Sequence, residues 1–498
     1  MERYTNTILN KQGKPVAGAV VTVTTYPGNE PAVIYAVDGG QAVEFVTSDE
    51  NGRFAFYAAD GHYNLSVTGR HIAPFTITDV VLNDPTNDAP PVVQVVLPPR
   101  AQVVATRGRF PVTAEGGGAT NYTRFESSLV VRTGPRPVNS IQLLYCNRYA
   151  IGGGEVWSGV NDLGLESAVN YGGVTNPVTF TGWKSPTMAA GAALVHSDKL
   201  GLNLPANTAL QLRSGAIVAS GQKTPGGQPS SFQYAAYSST ASVSQVYGTS
   251  SMAAPSGGAT SIYGFVPLAV IGIPDHRHVA VLLWGDSITF GTGDASNGES
   301  TYGHVGWAER GLVGAAAGVN IPFVNVSKPG DSTATWGAGA IGYHGTRWAL
   351  LEYVTHAVFA MGINDIVAGR TLAQLQANCQ VAWAAAKRMG AKVFQTTLTP
   401  NTTSTDSWAT LANQTVVANY TAAGIRGQFN AWLPSQVAAG NIDGLIDLNA
   451  AVCDPNNTDK WAVNGVGGYL TADGIHPSSA GHALMGAVMK AQASAWTV

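Results

Sequence analysis

Residues 278–289, HVAVLLWGDSIT, decide the fold. The first seven are a near-continuous apolar run, as a parallel strand buried on both faces requires. The run passes into Gly285-Asp286-Ser287, which would place Ser287 on the turn into a helix. Shorter strand-like runs follow at 323–326, 355–361, 392–397 and 445–448. Helices are expected between and after them, at 306–317, 338–353, 372–389, 415–429 and 479–494. Five strands alternating with five helices predict an open, doubly wound α/β sheet over residues 277–498. Ligands of such sheets bind at the carboxyl ends of the strands, so those ends are where chemistry is to be sought.

The first end carries Ser287. A serine at a helix N-terminus has an exposed hydroxyl and backbone N–H groups that can face a developing oxyanion. Serine is equally a favoured helix cap, and the motif alone does not separate the two readings. It is not the Gly-x-Ser-x-Gly elbow, because Thr289 stands where the second glycine would be. The second end reads VNVSKPGDST (324–333), where Gly330 lets a backbone N–H approach a ligand with no side chain in the way. The third reads FAMGINDI (359–366), where Asn364 offers a neutral side-chain N–H donor. Taken singly, Gly330 and Asn364 read as turn residues. Near the C-terminus stands TADGIHPSSAGHALMG (471–486). Asp473 and His476 are three apart, a spacing at which a carboxylate can fix the imidazole tautomer and leave the other nitrogen as a base. His482 lies beyond that motif, inside the expected helix.

In this order and at these strand ends, the four strings resemble the SGNH (GDSL-type) hydrolase superfamily. Gly285-Asp286-Ser287-Ile288 matches its nucleophile block, with isoleucine for the usual leucine. Gly330 matches the second block, Gly362 and Asn364 the third, and Asp473-x-x-His476 the last. The resemblance implies a Ser287–His476–Asp473 triad and an oxyanion hole of the Ser287 and Gly330 main chain with the Asn364 side chain. It implies ester hydrolysis with no metal and no cofactor. Asp286 is read as structural. His304, Trp307 and Trp336 are candidate substrate walls, with ordinary packing the favoured alternative for these residues.

The chain has 498 residues, more than one ordinary domain. Residues 1–97 alternate apolar and polar positions between turn-forming clusters, the signal of a small β-sandwich. Their strings GKPVAGAVVTV, TSDENGRFAF and GHYNLSV resemble transthyretin-like or carboxypeptidase-regulatory sandwiches. The segment 84–91, DPTNDAPP, reads as a linker, and 92–97 as one more strand. Residues 98–276 are again β-rich, and the string from Asn176 to Arg213 resembles the jelly-roll-like accessory domain of some polysaccharide esterases. The small-residue stretch 238–261 reads as a long loop. The expected architecture is therefore multidomain: two β-sandwich or jelly-roll-like domains, then the α/β domain.

Charged residues are only 11 % of the chain and the net charge is −3. That balance excludes a general nucleic-acid binder and a polybasic membrane anchor. No apolar stretch reaches the length of a membrane span, and the N-terminal residues have no signal-peptide pattern. Cys146, Cys379 and Cys453 are too sparse for a disulfide framework and read as free thiols. The whole resembles bacteriophage tail-fibre or tailspike proteins. On that resemblance the expected activity is removal of O-acetyl groups from a bacterial surface polysaccharide. The expected setting is a virion tail assembled in the host cytoplasm, as a homotrimer among other tail proteins, with a bacterial cytoplasmic or non-classically released enzyme as the alternative. The alternative functions are a receptor-binding or structural tail protein with an inactive hydrolase domain, and a general short-chain esterase or lipase.

Overall fold

The computed structural model describes residues 1–70, 72–82, 100–115, 122–151, 154–156, 161–227, 234–240, 243–250, 252, 259–260, 264–294, 305–313, 320–336 and 345–498. The chain divides into two compact units, Met1–Val95 and Val96–Val498.

In the first unit, side chains two apart along each strand share a face. Val21 with Val23, Phe54 with Phe56, and Tyr63 with Leu65 and Val67 all reach one buried core. Two antiparallel sheets close on it. One orders Glu2–Thr7, Arg53–Ala58, Ile34–Tyr35 and Ala42–Val43; the other orders Phe45–Thr47, Val20–Thr25, Gly61–Thr68 and Phe75–Leu82. The linker expected at 84–91 and the strand expected at 92–97 lie outside the described residues.

The second unit is built around a parallel sheet of six strands: β1 (Gly108–Arg109), β2 (Val281–Gly285), β3 (Phe323–Asn325), β4 (His356–Ala360), β5 (Lys392–Thr396) and β6 (Gly444–Ile446). Their order is β1-β3-β2-β4-β5-β6, with every neighbouring pair parallel. The five strands from 277 onward lie where the sequence places them. Helices α1 (Ser287–Phe290), α2 (Gly306–Leu312), α3 (Gly345–Ala349), α4 (Ile363–Val367), α5 (Leu372–Arg388), α6 (Ile425–Ala438), α7 (Leu448–Val452) and α8 (Ser479–Ser494) accompany the sheet. The chain order reverses between β3 and β4 on either side of β2, so the end of β2 is the switch point at which such sheets bind ligands.

Before the α/β part, two antiparallel sheets of seven and five strands pack on a second core. The smaller sheet includes Val138–Tyr145, Ala269–Pro274 and Gln102–Val103. Its side chains alternate between two interiors. Val104, Leu143, Tyr145 and Val270 enter the antiparallel core, while Val103, Leu144, Cys146 and Ile271 enter the α/β core. By contact, residues 98–276 and 277–498 lie in one compact unit, with this sheet buried on both faces and β1 extending the parallel sheet across the expected division at 276/277.

Three local readings are corrected. Residues 414–416 form a strand paired with Thr402–Ser404, and the helix begins only at Ile425. The run Thr415-Val416-Val417 is β-branched and favours the strand. The helix then runs to Ala438, through Pro434 and past the expected end at 429. The expected loop 238–261 begins and ends in pairing strands, Tyr234–Ser239 and Ala259–Thr260, whose small residues hide the β pattern. Of the helix expected at 338–353, the described part is α3 followed by a 3-10 turn, Leu350–Tyr353. Among the described residues no helix is long and apolar enough to cross a membrane. All three cysteines are buried free thiols.

Candidate active site

The strand β2 ends at Gly285 and α1 starts two residues later. Asp286 caps α1 by accepting from the Ile288 N–H at 2.9 Å, which leaves Ser287 at the first helical position. An N–H at that position has no partner within the helix. The Ser287 Oγ lies 2.8 Å from His476 Nε2, and His476 Nδ1 lies 2.6 Å from Asp473 Oδ2.

Asp473 is fixed from two sides. Its Oδ1 accepts from the main-chain N–H groups of Ile475 (2.9 Å) and His476 (2.8 Å), and its Oδ2 faces the ring. Partial burial works to raise its pKa, but the hydrogen bonds from the His476 ring and from these N–H groups outweigh it and hold the carboxyl below its ordinary value. An ionised Asp473 accepts only, so His476 Nδ1 carries the hydrogen and the neutral ring presents Nε2 as an acceptor to the Ser287 hydroxyl.

The loops after β3 and β4 meet beside this chain of groups. Lys328 to Asp331 is a turn closed by the Asp331 N–H on the Lys328 carbonyl at 3.1 Å. Pro329 and Gly330 occupy its centre, and Gly330 has φ +76°, the conformation a type II turn demands of its third residue. Open space lies on the side of Gly330 where a Cβ would stand. The Lys328 N–H bonds the Gly285 carbonyl at 3.1 Å, which holds this loop against the end of β2. Asn364 Nδ2 donates to the Asp331 carbonyl at 2.8 Å and keeps a second N–H. Beneath lies a buried layer of charge. Asp331 pairs with Arg347 at 2.7 Å, and Asp365 accepts from the Thr333 N–H (2.9 Å) and Oγ1 (2.6 Å). Burial, with the nearby carboxylates of Asp331 and Asp365, pushes the Asp286 pKa up to about 7.

Trp307 and Trp336 do not line the site. Both indoles are 0 % exposed, a correction of the substrate-wall reading. Trp336 stacks edge-on against Phe359 and Trp284, filling the space over the sheet. His304 lies outside the described residues. His482 is buried, with Nδ1 accepting from the Trp307 N–H (3.2 Å) and Nε2 donating to the Thr292 carbonyl (2.9 Å), so both its nitrogens are occupied by the main chain. Among the described residues no group of three or more His, Cys, Asp or Glu is arranged to hold a metal ion.

The structure adds residues that the strand-end motifs do not name. Gly474, between Asp473 and His476, has φ +84° and lies against Thr402 and the Trp408 ring. Its carbonyl accepts from Trp461 Nε1 at 2.9 Å and from the Thr402 N–H at 3.1 Å. Trp408 is itself tied by Nε1 to Thr402 Oγ1 at 2.9 Å. The sequence signal was available only in part: a glycine between the aspartate and the histidine marks a tight turn, but nothing local links it to tryptophans 13 and 66 residues earlier.

Residues 283–484 match the family model described as "GDSL-like Lipase/Acylhydrolase family". These residues form a GDSL-type hydrolase domain. Solved structures similar to the chain include the psychrotrophic esterase EstA from Pseudoalteromonas sp., with 17 % identity, 44 % of this chain and 98 % of that chain covered, and a TM-score of 0.30. Another is a mutant of an acetyl-xylooligosaccharide esterase from Geobacillus Stearmophilus, with 16 % identity, 44 % and 96 % coverage and a TM-score of 0.31. A third is a lipase from a goat rumen metagenome, with 16 % identity, 43 % and 97 % coverage and a TM-score of 0.32. No curated protein matches the sequence. The four strand-end strings span Gly285 to His476 and so fall within the GDSL-type domain.

Proposed function

We propose that the GDSL-type domain is a serine esterase in which Ser287, His476 and Asp473 act as a triad. One observation carries the reading: the unbroken chain from Asp473 Oδ2 through the His476 ring to Ser287 Oγ, with contacts of 2.6 and 2.8 Å, at the switch point of the sheet. His476 Nε2 takes the hydroxyl proton as Ser287 Oγ bonds to the acyl carbon, and the carbonyl electron pair moves onto the oxygen. The Ser287 and Gly330 N–H groups and the second Asn364 N–H stabilise that oxyanion. The imidazolium, held by Asp473, then gives its proton to the departing alcohol. Water repeats the sequence on the acyl-enzyme and restores Ser287.

The substrate we propose is an O-acetylated bacterial surface polysaccharide, and the setting a phage tail protein, trimeric among other tail proteins. The support is the resemblance of the β-rich regions to tail and polysaccharide-esterase accessory domains. A glycosidase would need a second catalytic carboxylate at a suitable separation, and the strand-end motifs supply only Asp473. The test follows acetate and chain length together when O-acetylated surface polysaccharide is treated with the protein and with Ser287→Ala. Acetate released without chain shortening, and only by the wild type, is expected. Chain cleavage without acetate overturns the reading, as does activity confined to long-chain lipid esters.

A further inference from the structure

The helix that carries Ser287 has only four residues. So short a helix leaves most of its carbonyls without the usual i to i+4 partner, and other groups must satisfy them. Ser287 O accepts from the N–H groups of Gly291 (3.1 Å) and Thr292 (2.9 Å), and Ile288 O from Gly291 (3.2 Å). Thr289 O takes the Asn325 side chain at 3.3 Å. Phe290 O, the last carbonyl, accepts from both terminal amino groups of Arg109, each at 3.3 Å. The guanidinium also lies 5.1 Å from the centre of the Phe290 ring.

Arg109 belongs to β1, more than 170 residues before the nucleophile and outside the GDSL-type match. Its Nη2 pairs with Glu309 Oε1 on α2 at 2.7 Å. Glu309 Oε1 also accepts from Asn325 at 3.0 Å, and Oε2 accepts from the Val305 N–H at 3.2 Å. Arginine and glutamate side chains are 7 % and 1 % exposed, so this is a buried pair. One side chain therefore ties the carbonyl end of α1 to the start of α2 and to the edge of the sheet. A cation at that end also complements the helix dipole.

We propose that Arg109 is a positioning residue of the esterase: by holding the carbonyl end of α1 it keeps Ser287 Oγ within reach of His476 Nε2. The catalytic apparatus then extends to β1, an edge strand of the parallel sheet contributed from before the GDSL-type match, and the GDSL-type domain of this chain is incomplete without it. This inference rests on the esterase reading, and the two are separable by experiment.

Two variants are needed, because removing one partner of a buried pair leaves the other uncompensated. Arg109→Lys keeps the charge opposite Glu309 and loses the planar fork that spans Phe290 O and the carboxylate. The double variant Arg109→Met with Glu309→Gln removes the charges together. Each is checked for folding by circular dichroism and assayed in the full chain with p-nitrophenyl acetate. Each is also treated with a p-nitrophenyl alkylphosphonate ester, which expels p-nitrophenolate as Ser287 Oγ bonds to phosphorus, and the attachment at Ser287 is followed by mass spectrometry. The expected result is a kcat reduced at least tenfold with KM within about twofold, and phosphonylation slowed by a similar factor, in both folded variants. A pair that served stability alone would shift the melting temperature and leave kcat and the labelling rate at wild-type values, and that result overturns the proposal. A wild-type chain that neither hydrolyses the ester nor labels at Ser287 overturns the esterase reading, and this one with it.

Discussion

For a side chain to do the proposed chemistry, its neighbours must leave it one state to occupy. Asp473 spends one oxygen on two main-chain N–H groups and the other on the His476 ring, so it orients the base and stays ionised. Ser287→Ala is expected to abolish hydrolysis of small acetyl esters while the melting temperature stays within a few degrees of wild type. Asp473→Asn keeps the shape but permits the wrong tautomer, and turnover should fall on the order of 10² to 10⁴; steady-state kinetics on p-nitrophenyl acetate checks both. Asp286 is in the opposite condition. Burial lifts its folded-state pKa from 3.8 to about 7, so the folded chain binds this proton more tightly than the unfolded one. Its contribution therefore erodes stability as pH rises from about 4, and the loss levels off above about 7. Asp286→Asn keeps an oxygen for the Ile288 N–H and has no proton to lose. Its melting temperature should match wild type near pH 4 and exceed it increasingly up to pH 7–8, where the difference in unfolding free energy levels off on the order of 4 kcal/mol. Parallel melting curves of the two proteins across that range would overturn the assignment.

At the level of elements, the proposed triad depends on a turn held from behind. The hairpin of Thr402–Ser404 with Gln414–Val416 supplies Thr402 and Trp408, and the strand Asn457–Trp461 supplies the second indole. The loop at the hairpin tip is stiffened by Asp406, which accepts from Ser404 Oγ, Thr410 Oγ1 and Asn413 Nδ2. These bonds, from Thr410 and Asn413 first, hold its carboxyl well below the usual range. Ser407 and Trp408 next to it both have positive φ, a strained choice for consecutive non-glycine residues. Gly474→Ala should be severe, since the added carbon would stand 1.7 Å from the Thr402 carbonyl and the backbone would pay strain at φ +84° as well. A loss of at least about 1–3 kcal/mol in stability is expected from the backbone strain, with kcat reduced in whatever fraction folds. Trp461→Phe removes one bond to a carbonyl that Thr402 still serves, so denaturant unfolding should report about 0.5–1.5 kcal/mol. Beyond the turn marked by Gly474, none of this is readable locally. The strand-end strings are contiguous and periodic and can be read from the chain; the groups that brace them come from hairpins whose pairing is decided by tertiary contact. The same limit applies to Trp307 and Trp336, which the sequence offers as candidate walls with packing the favoured alternative, and which packing places in the core.

Over the whole molecule, the change of texture near residue 277 is real in sequence and misleading about independence. It marks where parallel strands begin, which alternation and apolar runs make legible. It does not by itself imply independence, because Val103, Leu144 and Ile271 alternate with residues of the antiparallel core and read locally as ordinary strand residues. Two deletions separate the cases. Removing residues 1–95 takes away a unit whose strands close on their own buried core, so the 96–498 chain should fold and hydrolyse a small acetyl ester with kcat within about twofold of wild type. Removing residues 1–276 is different in kind. It strips Val103, Phe110, Leu144, Leu268 and Ile271 from the α/β core. At about 1.5–3 kcal/mol for each large apolar side chain, the loss is comparable to the whole stability of a typical domain. It also leaves β3 as an unpaired edge, since β1 is its neighbour. The 277–498 fragment should therefore be insoluble, or bind a hydrophobic dye and unfold without a cooperative transition, despite carrying Ser287, Asp473 and His476 intact. A soluble fragment with a sharp melting transition and wild-type turnover would show instead that the shared sheet merely leans on a self-sufficient domain.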